Sequence, residues 1–300
     1  MKIFIYIIFF FCITLFADIT EYKITSADNN QYMYIKILDT KLLRFSGVSE
    51  LSGLSYRDKK LYALSDKGIL YQFLLDIKHD KIQTLQLQHE YKLRNTKLQR
   101  FKRKKRDSEG LASYRSGFLI SFERQERVLY CSRKGIKIRK MKLNPLLENR
   151  KNYQSANKGL ESVTYSPKYG LITAPELPLK NQDSKYHTLY AKNRVWRFQA
   201  EGAVTDITFL DKDSVIVLLR EYSYLTQHRV TSLVEVNLQK CNKQDICKER
   251  VLAKLDSADG WHIDNFEGLT KVGKNRFLMV SDDNDSIFQK TLLVLFEIMN

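Results

Sequence analysis

Four prolines and twelve glycines in 300 residues are too few for a linker-rich, collagen-like or low-complexity chain. Cysteine is also scarce, at four. No paired Cys-x-x-Cys and no His-Glu-x-x-His occurs, so zinc is not indicated. The Gly-x-Ser-x-Gly elbow of α/β-hydrolase esterases is missing, as is any glycine-rich nucleotide loop. No segment keeps a long helical period. Apolar residues, by contrast, make up 43% of the chain and aromatics 12%, enough to bury a substantial core.

The one long apolar run comes first. Lys2 precedes residues 3–16, which are followed by Ala17 and Asp18. A positive start, a short apolar stretch and a small residue at its end read as a secretory signal peptide cleaved after Ala17. Fourteen residues at about 1.5 Å each reach only about 21 Å, short of a bilayer core. Cys12, preceded by Phe10 and Phe11, is a poor lipid-attachment site. No later segment is long and apolar enough to span. The expectation is a periplasmic or secreted monomer whose residues 18–300 form a single domain.

Export permits disulfides. Cys241 and Cys247 flank a five-residue polar loop and are expected to close it, while Cys131 reads as a buried strand residue. The formal charge is +16, with Lys97, Arg100 and residues 102–106 crowding one segment. That segment reads either as an arm for phosphate-rich molecules or acidic lipid, or as a solvated loop. Nucleic acid is not expected of an exported protein whose basic run 102–106 has no interleaved aromatics.

A short unit repeats along the chain. It reads Leu51-Ser52-Gly53-Leu54-Ser55-Tyr56, then Ser108-Glu109-Gly110-Leu111, then Leu160-Glu161-Ser162-Val163. It returns weakly as Val204-Thr205-Asp206-Ile207 and finally as Phe266-Glu267-Gly268-Leu269. Each copy is followed by a polar turn and a second apolar run, which is a strand-hairpin signal. Copies recur at blade-sized spacing, so the expected fold is all-β: a β-propeller of four-stranded blades. The N-terminal strands around residues 32–45 and a last strand at 291–298 suggest six blades, with five or seven as alternatives and the two chain ends closing one blade.

The last copy continues through Asp264-Asn265-Phe266-Glu267-Gly268, Ser281-Asp282-Asp283-Asn284 and Gln289-Lys290-Thr291. This ordered set resembles the closing signature of the phytase-like ("esterase-like activity of phytase") family of bacterial proteins. Leu61 to Asp66, Ser121-Phe122-Glu123-Arg124 and Ala174-Pro175-Glu176 resemble its earlier blades. Leu219-Arg220-Glu221 resembles its Leu-Glu-Arg segment with the last two residues exchanged. The resemblance implies an exported propeller with ester or phosphoester hydrolase activity, by likeness to calcium-dependent propeller phytases.

Acids mark the repeats: Asp66, Asp107, Glu109, Glu123, Glu161, Glu176, Glu221, Glu267, Asp282 and Asp283. If the first strand of each blade lines the channel, Glu109, Glu161 and Glu267 stand at one height around a mouth. Converging carboxylates need a cation or a pKa shift, and calcium takes such oxygen ligands readily. The expected metal ligands are Asp66, Asp107, Glu109, Glu161, Glu267, Asp282 and Asp283. Glu109, Glu161, Glu267 and Asp282 would serve catalysis, and Arg124 and Arg220 would hold a small anionic ester or phosphoester. Taken singly, each acid also fits a turn-capping or ion-pairing role. The alternative function is a non-catalytic propeller that binds a ligand or protein partner in the cell envelope.

Overall fold

The computed structural model describes residues 18–25, 30–155, 157–223 and 225–299. The expected signal peptide lies outside them. Tight hairpins organise the strands. Asp58 and Lys59, with φ of 53° and 58°, form the two-residue turn that returns β4 (Leu51–Arg57) on β5 (Lys60–Ser65). His79 and Asp80, at 50° and 63°, do the same between β6 (Ile69–Lys78) and β7 (Lys81–Lys92). Two successive positive φ values match the right-handed twist of the flanking strands.

Those four strands are blade 1, ordered from the centre outward. Blade 2 comprises β8 (Ser108–Tyr114), β9 (Gly117–Phe122), β10 (Arg127–Ser132) and β11 (Lys137–Lys140). Blade 3 comprises β12 (Leu160–Ser166), β13 (Gly170–Pro175), β14 (Tyr186–Tyr190) and β15 (Val195–Gln199). Blade 4 comprises β16 (Ala203–Phe209), β17 (Ser214–Ser223), β18 (His228–Cys241) and β19 (Cys247–Asp256). Blade 5 begins with β20 (Asn265–Lys271), β21 (Arg276–Asp282) and β22 (Leu292–Ile298). Its fourth strand is β3 (Ile35–Leu43) from the other end of the chain, flanked by the short β1 (Ile19–Glu21) and β2 (Gln31–Tyr32).

The propeller therefore has five blades, which corrects the expected six. The terminal strands do not found a blade of their own. The last repeat supplies only three strands, and β3 pairs antiparallel with β22 from Leu42–Leu292 to Ile35–Ile298. This closes the ring and satisfies an edge that would otherwise be open.

Neighbouring inner strands pack in the cyclic order β4, β8, β12, β16, β20 and back to β4. The core is correspondingly divided into wedges between blades. Tyr62, Leu64, Phe118 and Phe122 fill the first junction, and Leu119, Val128, Leu160 and Tyr190 the second. Trp196, Phe198, Val217 and Val234 fill the third. Leu218, Leu233, Phe266 and Phe277 fill the fourth, and Leu54, Tyr71, Val280 and Leu293 the fifth. Cys131 is buried in β10, and burial pushes its thiol up to about 12. Cys241 and Cys247 are joined by a disulfide at the tip of the β18–β19 hairpin. Among the described residues no helix is long and apolar enough to cross a membrane.

Candidate active site at the channel mouth

Each inner strand begins at one face of the ring, and its partner strand ends there. Near that end every inner strand carries a β-bulge. The register shifts fall between Leu51 and Gly53, Ser108 and Leu111, Leu160 and Ser162, Val204 and Asp206, and Phe266 and Gly268. A bulge inserts an extra residue and re-aims its side chain. The five bulges place Ser52, Glu109, Glu161, Thr205 and Glu267 at equivalent positions around the channel. The strands approach closely there. A Cβ on Gly53 would lie 2.4 Å from the Glu109 carbonyl oxygen, and one on Gly110 would lie 2.6 Å from Val163 N. Glycine at those positions is what lets neighbouring bulges converge.

Blades 1 and 4 carry hydroxyls instead of acids, and these stitch the ring together. Ser52 Oγ donates to the Ser108 carbonyl at 2.8 Å, and Thr205 Oγ1 to the Phe266 carbonyl at 3.2 Å. Beside Thr205, the fully buried Asp206 stands where three other blades have glycine. Its carboxylate accepts from Leu269 N and Ile207 N, tying β16 to β20.

A second tier lies one residue beyond the returning-strand partner of the position just before each bulge. Its members are Asp66, Glu123, Glu176, Arg220 and Asp282, after Ser65, Phe122, Pro175, Leu219 and Ser281. Four of the five are acids. In blade 4 the exchange of Arg220 and Glu221 puts a guanidinium at the acid position. It bonds Glu267 and Asn265 and lies 3.6 Å from Glu176. Glu176 also takes Lys158 Nζ at 2.6 Å.

The carboxylates occupy one field. Oxygens of Asp107, Glu109 and Glu123 lie within 4.8 Å of one another, as do those of Glu123, Glu161 and Glu176. Burial, reinforced by Glu161 and Glu267, raises Glu109 well above the usual carboxylate range. Burial with Glu176 and Glu123 does the same to Glu161. Burial also raises Glu267, against the opposing pull of Arg220. Burial and neighbouring acids push Asp66 to about 7, Glu123 to about 8 and Asp282 to about 9. Burial works against the charge of Arg220, but Glu267, Glu176 and Glu161 hold its pKa above the ordinary value.

Of the residues singled out from sequence, Asp66, Asp107, Glu109, Glu161, Glu267 and Asp282 come together at this mouth. Asp283 sits beside it with its oxygens committed to the loop: Oδ1 accepts from Glu50 N and Asp285 N, and Oδ2 from Thr291 Oγ1. Arg124 is paired with Asp107 at 2.7 Å on the blade 2 rim. Glu221, one place beyond the second tier, lies 3.8 Å from Lys254. Glu50, Lys158 and Asn265 also belong to the mouth. Their signal in the sequence is positional, since Glu50 and Asn265 each precede a bulge as Asp107 does. Next to the acids, a cavity of about 460 Å³ is lined by Lys158, Glu176, Arg220, Tyr222, Arg229 and Asn265, among others.

Fold and site thus define a five-bladed propeller with an acid-lined channel entrance. The chain belongs to the phytase-like family (esterase-like activity of phytase), whose family model matches residues 46–285. No curated protein matches the sequence. Among solved structures it is similar to glutaminyl cyclase from Myxococcus xanthus, with 11% identity, TM-score 0.48, and coverage of 87% of this chain and 97% of that one. It is also similar to the PQQ-bound aldose sugar dehydrogenase from Streptomyces coelicolor, with 12% identity, TM-score 0.42, and 86% and 98% coverage. A chain of the mitotic checkpoint complex matches with 11% identity, TM-score 0.41, and 83% and 64% coverage.

Proposed function

We propose that this protein is an exported, calcium-assisted hydrolase of small anionic phosphoesters or esters, acting at the channel mouth. The convergence of two tiers of carboxylates on one buried field carries this reading. Such a field is unfavourable unless protonated or neutralised by a cation. The donor set is all oxygen, which suits calcium rather than a softer metal. Asp66 Oδ1 is buried without a hydrogen-bond partner, as a ligand oxygen awaiting a cation would be.

Asp66, Asp107, Glu109, Glu161, Glu267 and Asp282 are the residues that would hold calcium, with Glu123 and Glu176 completing the field. When bound, calcium supplies charge neutralisation for a phosphoryl or acyl oxygen and a more acidic water. The chain's own groups do the rest. Arg220 and Lys158, facing the adjoining cavity, orient an anionic group beside the carboxylates. A carboxylate from Glu109, Glu161, Glu267 or Asp282 accepts the proton of the attacking water. Arg124, held at the rim by Asp107, guides the substrate inward.

One observation favours the binding alternative: Arg124 and Arg220 are both already ion-paired, as in a site built to stay rigid. Turnover of p-nitrophenyl phosphate and p-nitrophenyl acetate, measured with calcium and with chelator, separates the two readings. Calcium-dependent release of p-nitrophenol supports the hydrolase. Tight calcium binding with no turnover of either ester points to a binding propeller.

A further inference from the structure

The protein's charge is distributed unevenly. Residues 92–151 hold 20 of the 50 Lys and Arg but only 5 of the 34 Asp and Glu. This fifth of the chain therefore accounts for nearly all of the net charge of +16. Asp107, Glu109 and Glu123 are turned toward the channel mouth, so what blade 2 and its leading segment show to solvent is overwhelmingly basic. The segment between β7 and β8 lies on the mouth face, because β8 starts there. Arg100 Nη2 reaches the Lys67 carbonyl, Arg106 packs on Gly68, and the Lys105 carbonyl accepts from Arg127. Lys102, Arg103, Lys104 and Lys105 are exposed.

A second observation is independent of charge. Among the described residues, four large apolar side chains are more than half exposed: Leu98 at 55%, Leu225 at 94%, Ile287 at 92% and Phe288 at 84%. All four lie on the same face as the mouth. Leu98 is in the β7–β8 segment, Leu225 in the β17–β18 turn, and Ile287 and Phe288 in the β21–β22 connection. Each of these connections joins strand ends at the entrance. Apolar residues scattered over a surface need no explanation, but their confinement to one face does.

We propose that the mouth face docks on a bilayer surface rich in anionic phospholipid headgroups. Basic side chains of residues 97–106 take the headgroups, and Leu98, Leu225, Ile287 and Phe288 enter the boundary with the acyl chains. Exposed cations beside protruding aliphatic and aromatic tips suit that interface, where charge attraction and apolar burial add. A nucleic acid would favour exposed aromatics interleaved with the cations, whereas Phe101, the aromatic in this segment, packs on Phe122. The acids of the mouth do not oppose docking, because Glu109, Glu176 and Asp282 are buried and the exposed Asp285 and Glu201 on this face are ion-paired with Lys67 and Lys254. Docking does not depend on the chemistry of the mouth and stands or falls separately from it.

The test uses the processed protein recovered after export, with its N-terminus checked by mass and a calcium chelator present throughout. It should co-sediment with phosphatidylcholine vesicles containing about a third phosphatidylglycerol, and at least about tenfold less with pure phosphatidylcholine. Changing Lys102, Lys104 and Lys105 together to Gln should weaken binding about a hundredfold at low salt. Leu225→Ser with Ile287→Ser should weaken it at least about tenfold, with the melting temperature of both variants unchanged. The native tryptophans, Trp196 and Trp261, are buried, so Phe288→Trp reports insertion. Its emission should shift to the blue on anionic vesicles and be quenched by brominated acyl chains. Absence of vesicle binding would overturn the proposal. So would binding that ignores the apolar tips and is fully competed by soluble polyphosphate, which marks a polyanion site. Pelleting without vesicles would assign the face to a second copy of the chain and overturn it equally.

Discussion

Arg220 is ion-paired with Glu267 across the junction of blades 4 and 5, at the second-tier position that holds an acid in every other blade. One position of an otherwise acidic second tier thus holds a cation. It balances part of the charge of Glu267, Glu176, Glu161 and Asp282, while Asp107 is paired with Arg124.

Replacing that guanidinium should therefore have two opposite effects. Arg220→Gln should destabilise the calcium-free protein by about 2–3 kcal/mol, less than is typical for a fully buried pair. It should also raise calcium affinity at least about tenfold by removing a like charge from beside the cation. Chemical denaturation and calorimetric calcium titration check both. A variant with unchanged calcium affinity would place the ion away from this ring.

Calcium should stabilise the wild-type protein in a pH-dependent way. Asp66, Glu123 and Asp282 have raised values of about 7, 8 and 9, so the folded state binds more protons than the unfolded one above about pH 4. Stability of the calcium-free protein should then fall as pH rises from about 4 through 9. Calcium at a hundredfold its dissociation constant restores about 2.7 kcal/mol and displaces these protons. Melting curves at pH 5 and pH 8, with chelator and with calcium, should show a calcium gain that is larger at pH 8. Equal gains at both values would mean that these carboxylates do not bind the ion.

Glu267→Gln should lower calcium-dependent turnover by roughly a hundredfold. It should also shrink the calcium-induced rise in melting temperature while leaving a cooperative transition. Steady-state kinetics at saturating calcium decides the point. Turnover equal to wild type would leave Glu267 as a structural partner of Arg220.

The Cys241–Cys247 bridge closes a short loop and should contribute about 2–3 kcal/mol. Reduction and alkylation should add two labels at these positions, with Cys131 reacting only after unfolding. Cys241→Ser with Cys247→Ser should lower the denaturation midpoint without changing turnover, because the bridge lies at the outer tip of blade 4. Free thiols at both positions in the exported protein would contradict this.

Residue pattern alone was enough for the propeller, because strand alternation and polar turns are local properties that recur with every blade. The grouping of Glu109, Glu161 and Glu267 was legible for the same reason: equivalent repeat positions become equivalent heights once the ring closes. Blade number was not legible. Whether the N-terminal strand founds a sheet or completes one depends on its pairing with β22, some 250 residues away, which no local pattern encodes. The second tier was only half visible. Glu123 and Glu176 stand out as acids, but their alignment with Arg220 comes from the shared bulge register. A bulge is a relation between two strands and not a motif in either. The partners of Arg124 and Arg220, the buried role of Asp206 and the gathering of exposed apolar tips on the mouth face were likewise decided only in three dimensions, where blades distant in sequence share one channel and one rim.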